Sequence, residues 1–330
     1  MNGYSPKFQL LQMITGFWAP QVIVAAVKTD TLTCIAEEAS TVARLSEKLS
    51  MPQWRLDRFI SALAALRLVY FDEHYKLYVS ELGRLLLPDE DGSLAHYVRL
   101  IGDRYSHAWS CLPELLRRDD ESTGYMQAWG EDIFSERDPQ IEAHFYRAMR
   151  AFSRDSALEL AEILKADRVR ALLDVGGGDG TMAAMLTERI PTLLVTVFDR
   201  ASLQSICEGT IGAHHNIAFL AGDLTASLPA GYDAHLLFRV AHNLSDRQLE
   251  RVFEHSVQTL NVDGTLYIVD SISEQLPGRA LMDLNMMVLT GGKMRTITPF
   301  VALAEASGLK LCNVLPVGPS LSVMSFRHGG

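Results

Sequence analysis

Apolar and polar positions along this chain follow two rhythms, and the change between them comes near residue 170. Before it the spacing is helical. Thr41 stands where it can cap a helix over residues 43–49, and Ser50, with Gln53 three residues on, has the capping-box pattern for a second. In that second helix Leu56, Phe59, Ile60, Leu63 and Leu66 fall on one face. Two β-rich runs about a polar turn follow, residues 67–74 and 75–80, and then residues 81–87. Helix, turn, helix, hairpin is the order of a winged helix. Residues 101–160 read as helical and aromatic, with no Pro/Gly/Ser-rich linker. From residue 170 apolar runs ending near Val175, Asp199, Asp223, Val240 and Asp270 alternate with helical patterns. That alternation predicts a parallel sheet with helices on both faces and a ligand beyond the carboxyl ends of the strands. The expected division is 1–100, 101–160 and 161–330.

Charge and composition refine this picture. Thirty basic and forty acidic side chains among 330 residues give a formal net charge of -10. The exposed positions expected on the second helix, Gln53, Arg55, Asp57 and Arg58, are mixed in sign. An acidic chain without a basic stripe makes the winged helix a packing or dimerisation module, against a DNA-reading regulator. Cys34, Cys111, Cys207 and Cys312 are widely spaced, which points to neither a disulfide framework nor a metal site. The most apolar early segment, residues 17–27, is interrupted by Pro20 and Gln21 and reads as too short to cross a bilayer. The expectation is a cytoplasmic protein with no membrane partner.

The candidate chemistry gathers at the strand ends. Asp174-Val175-Gly176-Gly177-Gly178-Asp179-Gly180 fits D-x-G-x-G-x-G, a turn that lets a ligand approach the backbone beside a helix N-terminus. A dinucleotide fingerprint needs glycine at 181, where this chain has Thr181. Asp174 and Asp179 also put negative charge where a pyrophosphate would lie. S-adenosylmethionine, with its ammonium and sulfonium and no phosphate, suits an acidic loop better than NAD. Asp199 can accept ribose hydroxyls at the second strand end. Asp223 and Leu224 offer a polar acceptor and an apolar shelf for adenine at the third.

With these residues in place, the chain resembles the S-adenosylmethionine-dependent O-methyltransferases of the caffeic acid and hydroxyneurosporene type. The resemblance is carried by LLDVGGGDG, VFDR, AGDL, FRVAHNLSD, YIVDSI and DLNMMVLTGGKMRT, with HFYRAM and the winged-helix pattern upstream, and it covers nearly the whole chain. It implies a Rossmann-like class I parallel sheet with an antiparallel edge strand, plus an all-helical, winged-helix-type N-terminal domain that dimerises. It places the active site between the domains. Cofactor contacts are implied at Gly176, Gly178, Asp174, Asp199, Asp223, Leu224, Phe238, Arg239 and Ser153. His242 stands at the family's general base and Asp270 at its acidic partner. Phe145, Met149, Met286 and Met294 stand at the wall of the acceptor pocket, whereas Met282 and Met287 read as helix core. No metal is implied.

Three departures stand out. The family's H-D-W is His242-Asn243-Leu244, its usual Glu partner is the shorter Asp270, and the acid of G-G-x-E-R-T is Met294. The main expectation is methyl transfer to a hydroxyl of a small aromatic secondary metabolite. The departures leave open a non-methylating reaction on the same fold, such as hydroxylation, decarboxylation or pericyclic cyclisation.

Overall fold

The computed structural model describes residues 5–38, 41–88, 90, 92–135, 138–272 and 278–329. Two units divide the chain: Met1–Ser106 with Arg137–Ala151, and His107–Glu136 with Phe152–Gly330. The stretch 101–160, expected as one connecting segment, is therefore shared between them, and the helix Pro139–Ala166 belongs partly to each.

In the N-terminal unit helices Thr31–Glu37, Val42–Leu49 and Gln53–Ala65 pack with a hairpin of β1 (Val69–Phe71) and β2 (Leu77–Val79), so this unit is not all-helical. Leu56, Ile60 and Leu63 are buried with Leu45 and Leu77, and Phe59 and Leu66 pack against them at the margin. The Thr41 hydroxyl caps Val42–Leu49 as expected. Ser50 does not cap the next helix. It closes the preceding one in a left-handed conformation (φ 53°), and Pro52 stands at the N-cap of Gln53–Ala65. Gln53, Arg55, Asp57 and Arg58 are all exposed, with Arg55 and Arg58 over the ring of exposed Trp54.

Helices Pro6–Thr15 and Trp18–Lys28 lie two residues apart, and the stretch they span is long and apolar enough to cross a membrane by length and composition. Pro20 does not break it: a proline in the first turn of Trp18–Lys28 gives up an N–H that has no intrahelical partner anyway. Pro6–Thr15 buries none of its residues.

The second unit holds a seven-stranded sheet: β3 (Ala171–Val175), β4 (Leu194–Asp199), β5 (Ile217–Ala221), β6 (Tyr232–Phe238), β7 (Leu260–Asp270), β8 (Leu309–Val317) and β9 (Leu321–His328). Their order is β5-β4-β3-β6-β7-β9-β8, with β9 antiparallel to both neighbours and the first five parallel. Successive residues serve opposite faces. Leu172 and Leu236 enter one apolar core, while Leu173 and Leu237 enter the other. The chain winds outward from β3 to β5 and then returns to β6, so the order reverses between β3 and β6. A crevice opens where such a reversal occurs, at the carboxyl ends of those two strands.

Candidate active site

The loop after β3 turns on glycines held at positive φ: Gly176 at 73°, Gly178 at 60° and Gly180 at 77°. At Gly176 space also decides, since a Cβ there would stand 2.8 Å from Val240 Cγ2. The Gly178 N–H donates to Asp199 Oδ2 (2.8 Å), and the Arg200 N–H donates to Oδ1 (2.7 Å), so β4 pins the loop. Asp179 is occupied locally, accepting from the Thr181 N–H and hydroxyl at the start of helix Thr181–Arg189. Asp223 is likewise engaged by Thr225 through its N–H and hydroxyl (2.8 Å each). Leu224 packs on the core beside Gly176.

Asp174 differs from these acids. It is buried beneath the loop, and its Oδ2 has no hydrogen-bond partner. Burial first, then the neighbouring charges of Asp199 and Asp179, push its pKa up to about 7. An orphaned acid beneath a glycine cradle fits a cationic ligand.

Beyond β6 the chain enters a tight turn. Arg239 takes a left-handed conformation (φ 57°), with its guanidinium 5.4 Å from the Phe152 ring centroid. A short 3-10 turn, Ala241–Asn243, then presents His242 to the end of β7. Its Nδ1 lies 2.9 and 3.0 Å from Asp270 Oδ1 and Oδ2, and its backbone N–H donates to Oδ2 at 3.0 Å. The shorter acid therefore reaches the imidazole. Burial opposes the Asp270 charge, but the His242 imidazole and the Ser271 N–H outweigh it and hold the carboxyl below its usual range. An ionised Asp270 only accepts, so Nδ1 carries the proton and Nε2 is left as the basic nitrogen.

The turn is clamped from outside by residues that the sequence reading passed over. Arg295, fully buried, donates from Nη1 to the Ala241 carbonyl (2.9 Å) and from Nη2 to the Leu244 carbonyl (2.7 Å), while its Nε meets Asp246 Oδ1 (2.8 Å). The Lys293 N–H donates to the His242 carbonyl (2.9 Å), and a Cβ on Gly292 would stand 2.1 Å from that oxygen. Asn243 supplies no carboxylate; its amide donates to the Arg239 carbonyl, and Leu244 is buried in the core.

The remaining candidates divide between the units. Phe238 is half-buried at the end of β6, and Ser153 is buried on Pro139–Ala166. Met286, half-buried on helix Arg279–Leu289, and buried Met294 share the unit of His242. Phe145 and Met149 belong to the N-terminal unit, where Phe145 meets Tyr146 edge to face at 5.3 Å. Met282, expected in the core, is exposed, and Met287 is half-buried. Among the described residues no group of His, Cys, Asp and Glu could hold a metal ion.

A profile of the O-methyltransferase domain family matches residues 109–310. The chain belongs to that family. It is 26% identical over 315 residues to the mitomycin biosynthesis 6-O-methyltransferase of Streptomyces lavendulae, across 93% of this chain and 90% of that protein. To the 3-amino-4-hydroxybenzoate 4-O-methyltransferase of Streptomyces cremeus it is 24% identical over 332 residues, across 97% and 90%. Human N-acetylserotonin methyltransferase, solved in complex with S-adenosylmethionine, superposes with a TM-score of 0.89 over 100% of each chain at 20% identity, a likeness of fold. Membership makes this chain an O-methyltransferase, with S-adenosylmethionine as its cofactor. Methyl transfer thus stands over the non-methylating, regulatory and nicotinamide readings.

Proposed function

We propose that this O-methyltransferase methylates a hydroxyl of a small aromatic secondary metabolite with His242 as general base. The carrying observation is the His242–Asp270 pair: a buried, ionised carboxylate fixes the imidazole through Nδ1 and leaves Nε2 able to take a proton. A free phenol has a pKa of about 10 and a free imidazole about 6.5, so the base alone is poorly matched. Asp270 fixes the orientation and tautomer of the ring through Nδ1. Positioning of the hydroxyl supplies a larger share of the rate.

The residues at the crevice fit S-adenosylmethionine, which when bound supplies a methyl group on a sulfonium. The backbone at Gly176 and Gly178 would cradle it, and Asp174 would face positive charge. Each Asp199 oxygen keeps a lone pair beyond its backbone bond, enough to accept a ribose hydroxyl. Asp223 and Leu224 would bound the adenine, while Phe238, Arg239 and Ser153 complete the surround. Phe145, Met149, Met286 and Met294 are assigned to the acceptor wall, where thioethers adapt to flat rings. The enzyme works in the cytoplasm as a homodimer joined through its N-terminal unit.

Replacing His242 by Ala is expected to leave S-adenosylmethionine binding by calorimetry unchanged. Turnover of an accepted phenol, followed as S-adenosylhomocysteine release, should fall ~10²-fold or more. Equal turnover in the variant would remove His242 as the base.

A further inference from the structure

Helix Arg279–Leu289 carries a positive charge that the methyl-transfer reading does not use. Arg279, Asp283 and Met286 stand at i, i+4 and i+7, so they share one face. That face grips the main chain of Met294 at both peptide groups. Asp283 Oδ1 accepts the Met294 N–H (2.7 Å), and Arg279 Nη2 donates to the Met294 carbonyl (2.8 Å). Arg279 Nη1 is left over: it is buried and has no hydrogen-bond partner. Among the described residues no carboxylate pairs with this guanidinium, because Asp283 is turned to the Met294 backbone. A guanidinium nitrogen removed from water with nothing to donate to is costly, and a ligand that brings its own anion removes the cost.

We propose that Arg279 receives an anionic group of the acceptor, a carboxylate, so that the substrate is a hydroxylated aromatic acid. The inference rests on the assignment of Met286 and Met294 to the acceptor wall: Arg279 shares a helix face with Met286 and holds the Met294 carbonyl. Met294 contributes to the selectivity. Its carbonyl is held by Arg279, and its thioether brings no carboxylate of its own to compete with the ligand's.

The test uses 3-hydroxy-2-naphthoate and its neutral amide as matched probes, titrated calorimetrically with S-adenosylhomocysteine present. The wild-type enzyme should bind the acid roughly 10-fold or more tightly than the amide, as expected for one charge-assisted contact out of water. Arg279→Gln should bring the two within about 3-fold by weakening the acid alone, and Arg279→Lys should keep an intermediate preference. Thermal unfolding of each variant separates loss of the Met294 clamp from loss of recognition, and Arg279→Lys tests the charge if the Gln variant is unstable. A wild-type enzyme without preference for the acid, whether it binds both probes or neither, overturns the proposal. So does a preference that survives in Arg279→Gln. His242→Ala should keep the preference while losing turnover, so the base and the anion site stand or fall separately.

Discussion

Asp174 is an acid whose charge depends on what lies above it. With a folded pKa of about 7 against about 3.9 in an unfolded chain, it favours the folded state below pH 4. That contribution is lost as the pH rises through 7. A cation seated over the loop reverses the balance by favouring the ionised form. Binding of S-adenosylmethionine near pH 7 should therefore release a proton from this carboxyl. The binding enthalpy at pH 7 should differ between phosphate and Tris, whose ionisation enthalpies differ, and Asp174→Asn should remove the difference. A wild-type enthalpy independent of buffer would make Asp174 a structural acid without contact to the cofactor's charge.

At the scale of elements, the turn bearing His242 is held less by its own sequence than by residues some fifty positions later. Arg295 ties down the carbonyls of Ala241 and Leu244, and Asp246 anchors the guanidinium from the other side. Loosening the clamp should misplace the imidazole without touching the cofactor loop. Asp246→Asn, at a half-exposed position, and Arg295→Lys are each expected to lower turnover roughly 10-fold or more, with S-adenosylmethionine affinity within about 2-fold. Full turnover in both would show that His242 keeps its place without them.

The strand ends were legible in the sequence because each sits in a local pattern, an apolar run and then glycine or acid, whereas the His242–Asp270 pair was implied by the family resemblance alone. The clamp was not legible, since GGKMRT reads as a motif with one odd member until the carbonyls that Arg295 meets have been folded against it. Ser50 departs from its expected role for a related reason. Serine favours the start of a helix in isolation, but here the preceding helix needs a left-handed residue to finish. Met282 shows the same limit, as helical spacing alone does not say how far a face is covered.

For the whole molecule, the N-terminal helices pose the main question. Leu10, Leu11, Met13, Ile14, Phe17 and Trp18 are exposed on a stretch that begins with a helix burying nothing. So much apolar surface is rarely left in water, and a second copy of this chain is the proposed cover. Light scattering should report a particle of twice the 36.6 kDa chain mass, and Ile14→Glu combined with Leu11→Glu should give monomers that remain folded. A monomeric wild type that floats with neutral phosphatidylcholine vesicles would assign the same surface to lipid instead.

The order of the large sheet has a consequence for how the molecule is made. β9, formed from Leu321–His328, is an interior strand: it lies between β7 and β8 and pairs with β7 as far as Asp270. During synthesis, β7 therefore waits for a partner that emerges some fifty residues later. Until then, the strand carrying the proposed partner of His242 has a bare edge along one side. Such late, long-range pairing slows folding and leaves an open edge that other chains can join. Nascent chains short of residue 320 should need protection from one another, because the same strand that completes the site also closes that edge.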